Sequence, residues 1–110
     1  MAIRDSQLDR AFFALSDPAR RRILQQLTQG PATVGDVGRP LEMAAPSVTK
    51  HVKVLEEAGL VSREVRGREH WLTIEAGGFR TVVQHLQDYE RFWEMSLDRL
   101  HRLLDADEPT

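Results

Sequence analysis

Apolar residues fall at helical spacing near the start of the chain, where Leu8, Ala11, Phe12 and Leu15 recur every three or four positions and the run stops at Ser16-Asp17-Pro18. Asp17 is placed to cap a second helix and Pro18 to occupy its first position. That helix carries Ile23, Leu24 and Leu27 on one face and ends at Gly30-Pro31. Thr33 with Asp36 reads as a capping pair for a short third helix of about two turns holding Val34, Val37 and Leu41, weakened by Gly35, Gly38 and Pro40. A fourth helix is predicted from Ala44-Ala45-Pro46, with Val48, Val52, Leu55 and Ala58 inward and Gly59 closing it.

The period then changes. Leu60 to Val65 and Glu69 to Ile74 read as two short strands joined by Arg66-Gly67-Arg68, a hairpin with a basic tip. From about Phe79 the helical period returns, and Val82, Val83, Leu86, Tyr89, Trp93, Leu97, Leu100 and Leu104 trace one stripe over roughly seven turns. Short helix, tight turn, longer helix and hairpin describe a winged helix-turn-helix. The expected fold is mainly α with a small β-hairpin: about five helices plus a two-stranded wing, in one domain over 1–110. The helix-turn-helix falls at 33–59, the wing at 60–75 and a long C-terminal helix at 79–104.

Composition narrows the functional classes. The chain of 110 residues is 41% hydrophobic and 29% charged, as in an ordinary globular protein. It has no Cys, which excludes a disulfide framework, thiolate metal sites and cysteine nucleophiles. The opening MAIRDSQLDR lacks a long apolar run and nowhere do 18 apolar residues follow one another, so no signal peptide, membrane span or membrane partner is expected and the location reads as cytoplasmic. No Ser-centred Gly elbow, paired metal-binding His or Gly-rich phosphate loop is present, and the carboxylates are scattered, so neither an enzyme nor a cofactor is expected. Net charge is −2, but residues 1–80 hold 12 Lys/Arg against 10 Asp/Glu while 81–110 hold 3 against 7. A basic face is therefore compatible with an acidic total, because a phosphate feels local charge within a screening length of about 8 Å.

The fourth helix and the hairpin tip carry the candidate chemistry. Opposite its apolar face, that helix exposes Ala45, Ser47, Thr49, Lys50 and Lys53, with Pro46 in the first turn. A major groove about 12 Å wide admits a helix whose leading face is slim, with Ala, Ser and Thr near base edges and lysines near phosphates. Arg66 and Arg68 flank Gly67 at the end of a ribbon beside that helix, a tip suited to a minor groove or its phosphate walls. Arg20 and Arg21 read either as backbone contacts or, like Arg22, as solvated side chains. His51 reads equally as a phosphate contact or as a residue packed at the helix edge. The C-terminal stripe, which also includes Phe92, exceeds what one small core needs. A second copy is the simplest cover, giving a homodimer whose interface holds Phe12, Phe13, Leu86, Tyr89, Trp93, Leu97 and Leu100.

The runs DPARRRILQQL and SVTKHVKVLEEAGLVSREVRGREHWLTI resemble the ArsR-type (arsenic-repressor-like) winged-helix regulators, over nearly the whole chain from Leu8 to Leu104. The resemblance implies a homodimeric transcriptional repressor on a two-fold-symmetric operator of double-stranded DNA, with Ser47, Thr49, Lys50, His51 and Lys53 at the groove. Relatives often carry a polar residue where position 45 here is Ala. Many sense metals through cysteines near the third helix or through His, Asp and Glu on the last one. This chain offers no Cys, and His85, Asp88, Glu90 and His101 do not reproduce the last-helix pairs, so the resemblance is to the metal-free branch, with no metal site expected and the effector unspecified. Two rival readings remain: a winged helix used as a protein-interaction module with little DNA affinity, and a metal-responsive sensor using the last-helix His, Asp and Glu. Salt dependence separates the first from DNA binding.

Overall fold

The computed structural model describes the backbone of residues 3–107 and the side-chain environment of residues 6–106. The ends of the expected 1–110 domain span lie outside these. Helix α1 (Ile3–Leu15) turns Leu8, Ala11 and Ala14 inward and stops where expected. Helix α2 (Pro18–Leu27) follows at once, because Asp17 Oδ1 accepts from the backbone N–H of Ala19 at 2.8 Å and of Arg20 at 3.4 Å while Pro18 takes the first turn. Burial opposes the charge on Asp17. The two backbone N–H bonds, with the nearby charge of Arg20, outweigh it and hold the carboxyl below its usual value of 3.8.

A carboxylate whose folded value is depressed stabilises the fold above its unfolded value, and that contribution disappears as pH falls through the folded one. Asp17→Ala is therefore expected to cost about 1 kcal/mol near neutral pH, a typical loss for a helix cap. The difference from wild type should shrink in acid. Denaturant midpoints measured at pH 7 and near pH 3 check both statements.

After Gly30, at φ 132°, two residues form strand β1 (Ala32–Thr33), and Thr33 Oγ1 caps helix α3 (Val34–Gly38) by accepting from Asp36 N–H at 3.1 Å. The cap is as expected, but the helix has only five residues. Gly38 and Pro40 end its α geometry, and a single 3-10 turn, Arg39–Leu41, continues the chain to Glu42, which sits left-handed at φ 53°. Helix α4 (Ala45–Glu57) buries Val48, Val52 and Leu55. It closes on Gly59, at φ 74°, with Leu60 N–H reaching Leu55 C=O at 3.1 Å and Gly59 N–H reaching Glu56 C=O at 3.0 Å.

Strands β2 (Val61–Arg66) and β3 (Glu69–Ile74) pair antiparallel from Val61 opposite Ile74 to Arg66 opposite Glu69. The sheet has a third member: β1 pairs with β3, Ala32 opposite Leu72 and Thr33 opposite Trp71, in the order β1-β3-β2. The expected two-stranded wing is thus a three-stranded sheet at its base, and two residues are too few to show a period of two in the sequence. Ile23, Val37, Val52, Leu55, Leu60 and Leu72 fill the centre of the core.

Helix α5 runs Ala76–Asp107, 32 residues, starting earlier than Phe79 and taking Gly77 and Gly78 into its first turn. Of its described residues only Val82 is buried. Phe79 packs against the core beside it, the turns beyond His85 extend away, and the principal dimensions are 72 × 30 × 25 Å.

Candidate nucleic-acid interface

The amphipathic pattern of α4 sets its outer face. With Val48, Val52 and Leu55 buried, Ala45, Ser47, Thr49, Lys50 and Lys53 are exposed as the period predicts, as are Pro46 in the first turn and Glu57 in the last. Among the described residues neither lysine makes an ion pair. The hairpin lies beside this face: Thr49 of α4, Thr33, Val34 and Gly35 of β1 and α3, and Arg63, Arg68, Glu69 and His70 of the wing line one groove of about 410 Å3.

The wing turn is tighter than expected. Arg66 is the last residue of β2, so the turn itself is Gly67-Arg68, with Gly67 at φ 63°, the glycine-first form of a two-residue hairpin loop. Arg68 is exposed and free of ion pairs among the described residues. Arg66 instead folds back along the ribbon, donating from Nη2 to Glu64 at 3.0 Å, with its guanidinium 5.2 Å from the centre of the Trp71 ring. The hydrogen bond from Arg66, and then its charge, hold the Glu64 carboxyl below its usual range, and the same pairing raises the Arg66 value. Exposed pairs of this kind contribute little, so an arriving phosphate can displace Glu64.

The geometry bears on three residues whose roles the sequence left open. Arg20 is not a free cation: it is 7% exposed, donates from Nε to Ala14 C=O at 2.8 Å and from Nη2 to Phe13 C=O at 2.9 Å, and lies over the Phe13 ring. The last carbonyls of α1 have no partners within that helix, and Arg20 supplies them. Arg21, though exposed, does the same through Nη1 to Leu15 C=O at 2.8 Å. His51 is half-buried rather than presented at the surface, with Nδ1 3.2 Å from Arg20 Nη1. Arginine can only donate, so Nδ1 is the acceptor in this contact. In this arrangement Arg20 and His51 brace α4 against the α1–α2 junction.

The sequence reading missed Glu56 and Arg63, which join α4 to β2 through a two-pronged ion pair. No local signal marks them, because the pairing exists only once the chain has turned at Gly59. Of the last-helix candidates for a metal, His85 packs its ring between Phe12 and Tyr89, and the Asp88 carboxylate accepts from Gln84 and Arg91. Among the described residues no three His, Asp or Glu side chains gather in a metal-holding group. Nor is any described helix long and apolar enough to cross a membrane.

A helix-turn-helix domain family model matches residues 15–64, the span from the end of α1 into β2. The HTH-type transcriptional regulator Rv2034 of Mycobacterium tuberculosis is 34% identical over 99 residues, 90% of each chain. A crystal structure of the ArsR family transcriptional regulator RHA00566 is 39% identical, covering 86% of this chain and 97% of that one, with a TM-score of 0.78. The transcriptional repressor SdpR of Bacillus subtilis is 34% identical over 61 residues, 56% of this chain and 68% of its own. The chain belongs to the ArsR family of winged helix-turn-helix regulators and is a DNA-binding transcriptional regulator.

Proposed function

We propose that the protein represses transcription by binding a two-fold-symmetric operator as a homodimer, each α4 entering a major groove and each wing tip meeting the adjacent backbone or minor groove. The observation that carries this reading is the groove shared by α4 and the wing, where the slim face ending in Thr49 stands opposite Arg68. Ser47 and Thr49 are the candidate base readers, beside Ala45 and Pro46. Lys50, Lys53, Arg68 and, once released from Glu64, Arg66 neutralise phosphates around the Gly67 turn. Arg20 and His51 act behind the interface, in the support of α4, and Arg21 at the α1–α2 junction.

The dimer reading is supported by the apolar stripe on α5, where Leu86, Tyr89, Trp93, Leu97 and Leu100 are each about half exposed, and by exposed Phe13 on α1. Phe12, half-buried against the His85 ring, lies at the edge of the same surface. Two-fold pairing sets recognition helices about 34 Å apart, one turn of DNA. Repression is supported by similarity to a named repressor. The reading places the protein in the cytoplasm with the DNA it regulates, without catalytic activity and in the metal-free part of the family.

Replacing Arg66 and Arg68 together by Ala is expected to lower affinity for every duplex sequence. The slope of log affinity against log salt should flatten by roughly one to two units, about 0.9 for each phosphate no longer neutralised. Fluorescence anisotropy titrations between 50 and 200 mM salt measure it. An unchanged slope removes the wing from the interface, and salt-insensitive binding of the wild type removes DNA from the proposal.

A further inference from the structure

Little holds the outer wing. Strand β1 supports β3 only at Leu72 and Trp71, and every residue from Glu64 to His70 is exposed. Beyond Arg63 the wing is therefore a two-stranded ribbon, a unit of marginal stability on its own. Its direction relative to α4 needs a further constraint if both are to meet one duplex at once.

Arg63 stands where the ribbon leaves the body. Its Nε and Nη2 donate to the two carboxylate oxygens of Glu56, on the last turn of α4, at 3.2 and 2.6 Å. Its Nη1 donates to His70 Nδ1, across on β3, at 2.9 Å. All three guanidinium nitrogens are engaged, and one side chain ties α4, β2 and β3 together. The side chains of the ion pair are only 25% and 28% exposed. A two-pronged arginine–carboxylate contact fixes angle as well as distance, so swinging the ribbon about its base would break it. Arg63 also lines the groove whose walls carry Thr49 and Arg68.

We propose that Arg63 is a positioning residue for operator binding: through Glu56 and His70 it holds the wing at a set angle to α4, so that the wing tip and the recognition face engage one duplex together. This rests on the DNA-binding reading above. Arg63 acts through the placement of other groups, and its own charge is spent on Glu56 rather than on a phosphate.

The test uses the full chain, an operator duplex selected with the wild-type protein and a random duplex of equal length. Arg63→Gln and Glu56→Ala are each expected to weaken operator binding about 10-fold, with random-duplex affinity within about 2-fold and the salt slope unchanged. For Glu56→Ala the loss is expected although a negative charge has been removed. The exchange Glu56→Arg with Arg63→Glu should recover most of the loss, as a coupled pair requires. Thermal melts identify any variant that fails to fold, and Glu56→Ala, which leaves Arg63 in place, carries the same expectation if Arg63→Gln does.

A folded Arg63→Gln with full operator affinity overturns the proposal. So does a flattened salt slope, which would make Arg63 a phosphate contact, a tighter-binding Glu56→Ala, or an exchange variant no better than its parents. If the wild type shows no salt-dependent binding to any duplex, the DNA-binding reading itself falls and takes this inference with it, a result seen before any variant is made.

Discussion

Gly78→Ala is expected to destabilise the protein by about 3 kcal/mol, lowering the melting temperature by more than about 10 °C. Gly78 sits in the first turn of α5, where the helix crosses the chain reversal that ends α4, and an added Cβ would overlap the carbonyl of Gly59. Both partners are backbone, so no side chain can move aside. Alanine gains about 1 kcal/mol in helix propensity over glycine, and the overlap must outweigh that gain. The neighbouring glycine isolates the two effects. Around Gly77 nothing lies within 4 Å of an added Cβ, so Gly77→Ala should leave stability unchanged or raise it by up to about 1 kcal/mol. Thermal melts of the two variants side by side give the comparison, and equal midpoints would remove the close approach at Gly78 as an element of the fold.

The second large effect is expected on assembly. Leu97 lies on the part of α5 beyond Val82 that contributes nothing to the buried core, and it is 49% exposed. Leu97→Asp should therefore leave the melting of the α1–α4 body nearly unchanged while placing two carboxylates in the middle of the proposed interface. Burying unpaired charge there is costly, and the variant is expected to be a monomer by light scattering at micromolar concentration. Separated half-site readers lose the effective concentration that joins them, so operator affinity should fall on the order of 100-fold. A dimeric Leu97→Asp would move the interface off this stripe, and a monomeric one with undiminished affinity would uncouple pairing from DNA binding.

The sequence carried those parts of the fold whose causes are local. Asp17-Pro18 marks a helix start because capping and a fixed proline φ act within a few residues, and the inward positions of α4 follow from a period that the core then obeys. Gly77-Gly78 lay outside the expected helix because glycine weakens helices. The structure keeps both inside, and the requirement at Gly78 is set by Gly59, nineteen positions earlier in the chain. The strand β1 was invisible for want of length.

At the candidate site the exposed face of α4 was legible residue by residue, since exposure is the complement of the buried period. The functions of individual arginines were not. Arg20 and Arg68 look alike in sequence, yet one is consumed by carbonyls six and seven residues back and by His51, and the other stands in solvent. Which cation is available to a phosphate depends on which carbonyls and carboxylates tertiary folding brings to it first, as Arg63 and Glu56 also illustrate.

The length of α5 has a mechanical side. A helix of 32 residues rises about 48 Å, and a tilt of roughly 5° over that distance carries one end about 4 Å, more than the ~3.4 Å between successive base pairs. In the proposed pair, α5 is then a lever arm. The spacing between operator half-sites would be tuned by side chains that never approach DNA, and bulk added or removed at Phe92 or Leu103 would shift the preferred spacer by whole base pairs while leaving the bases read within each half-site the same.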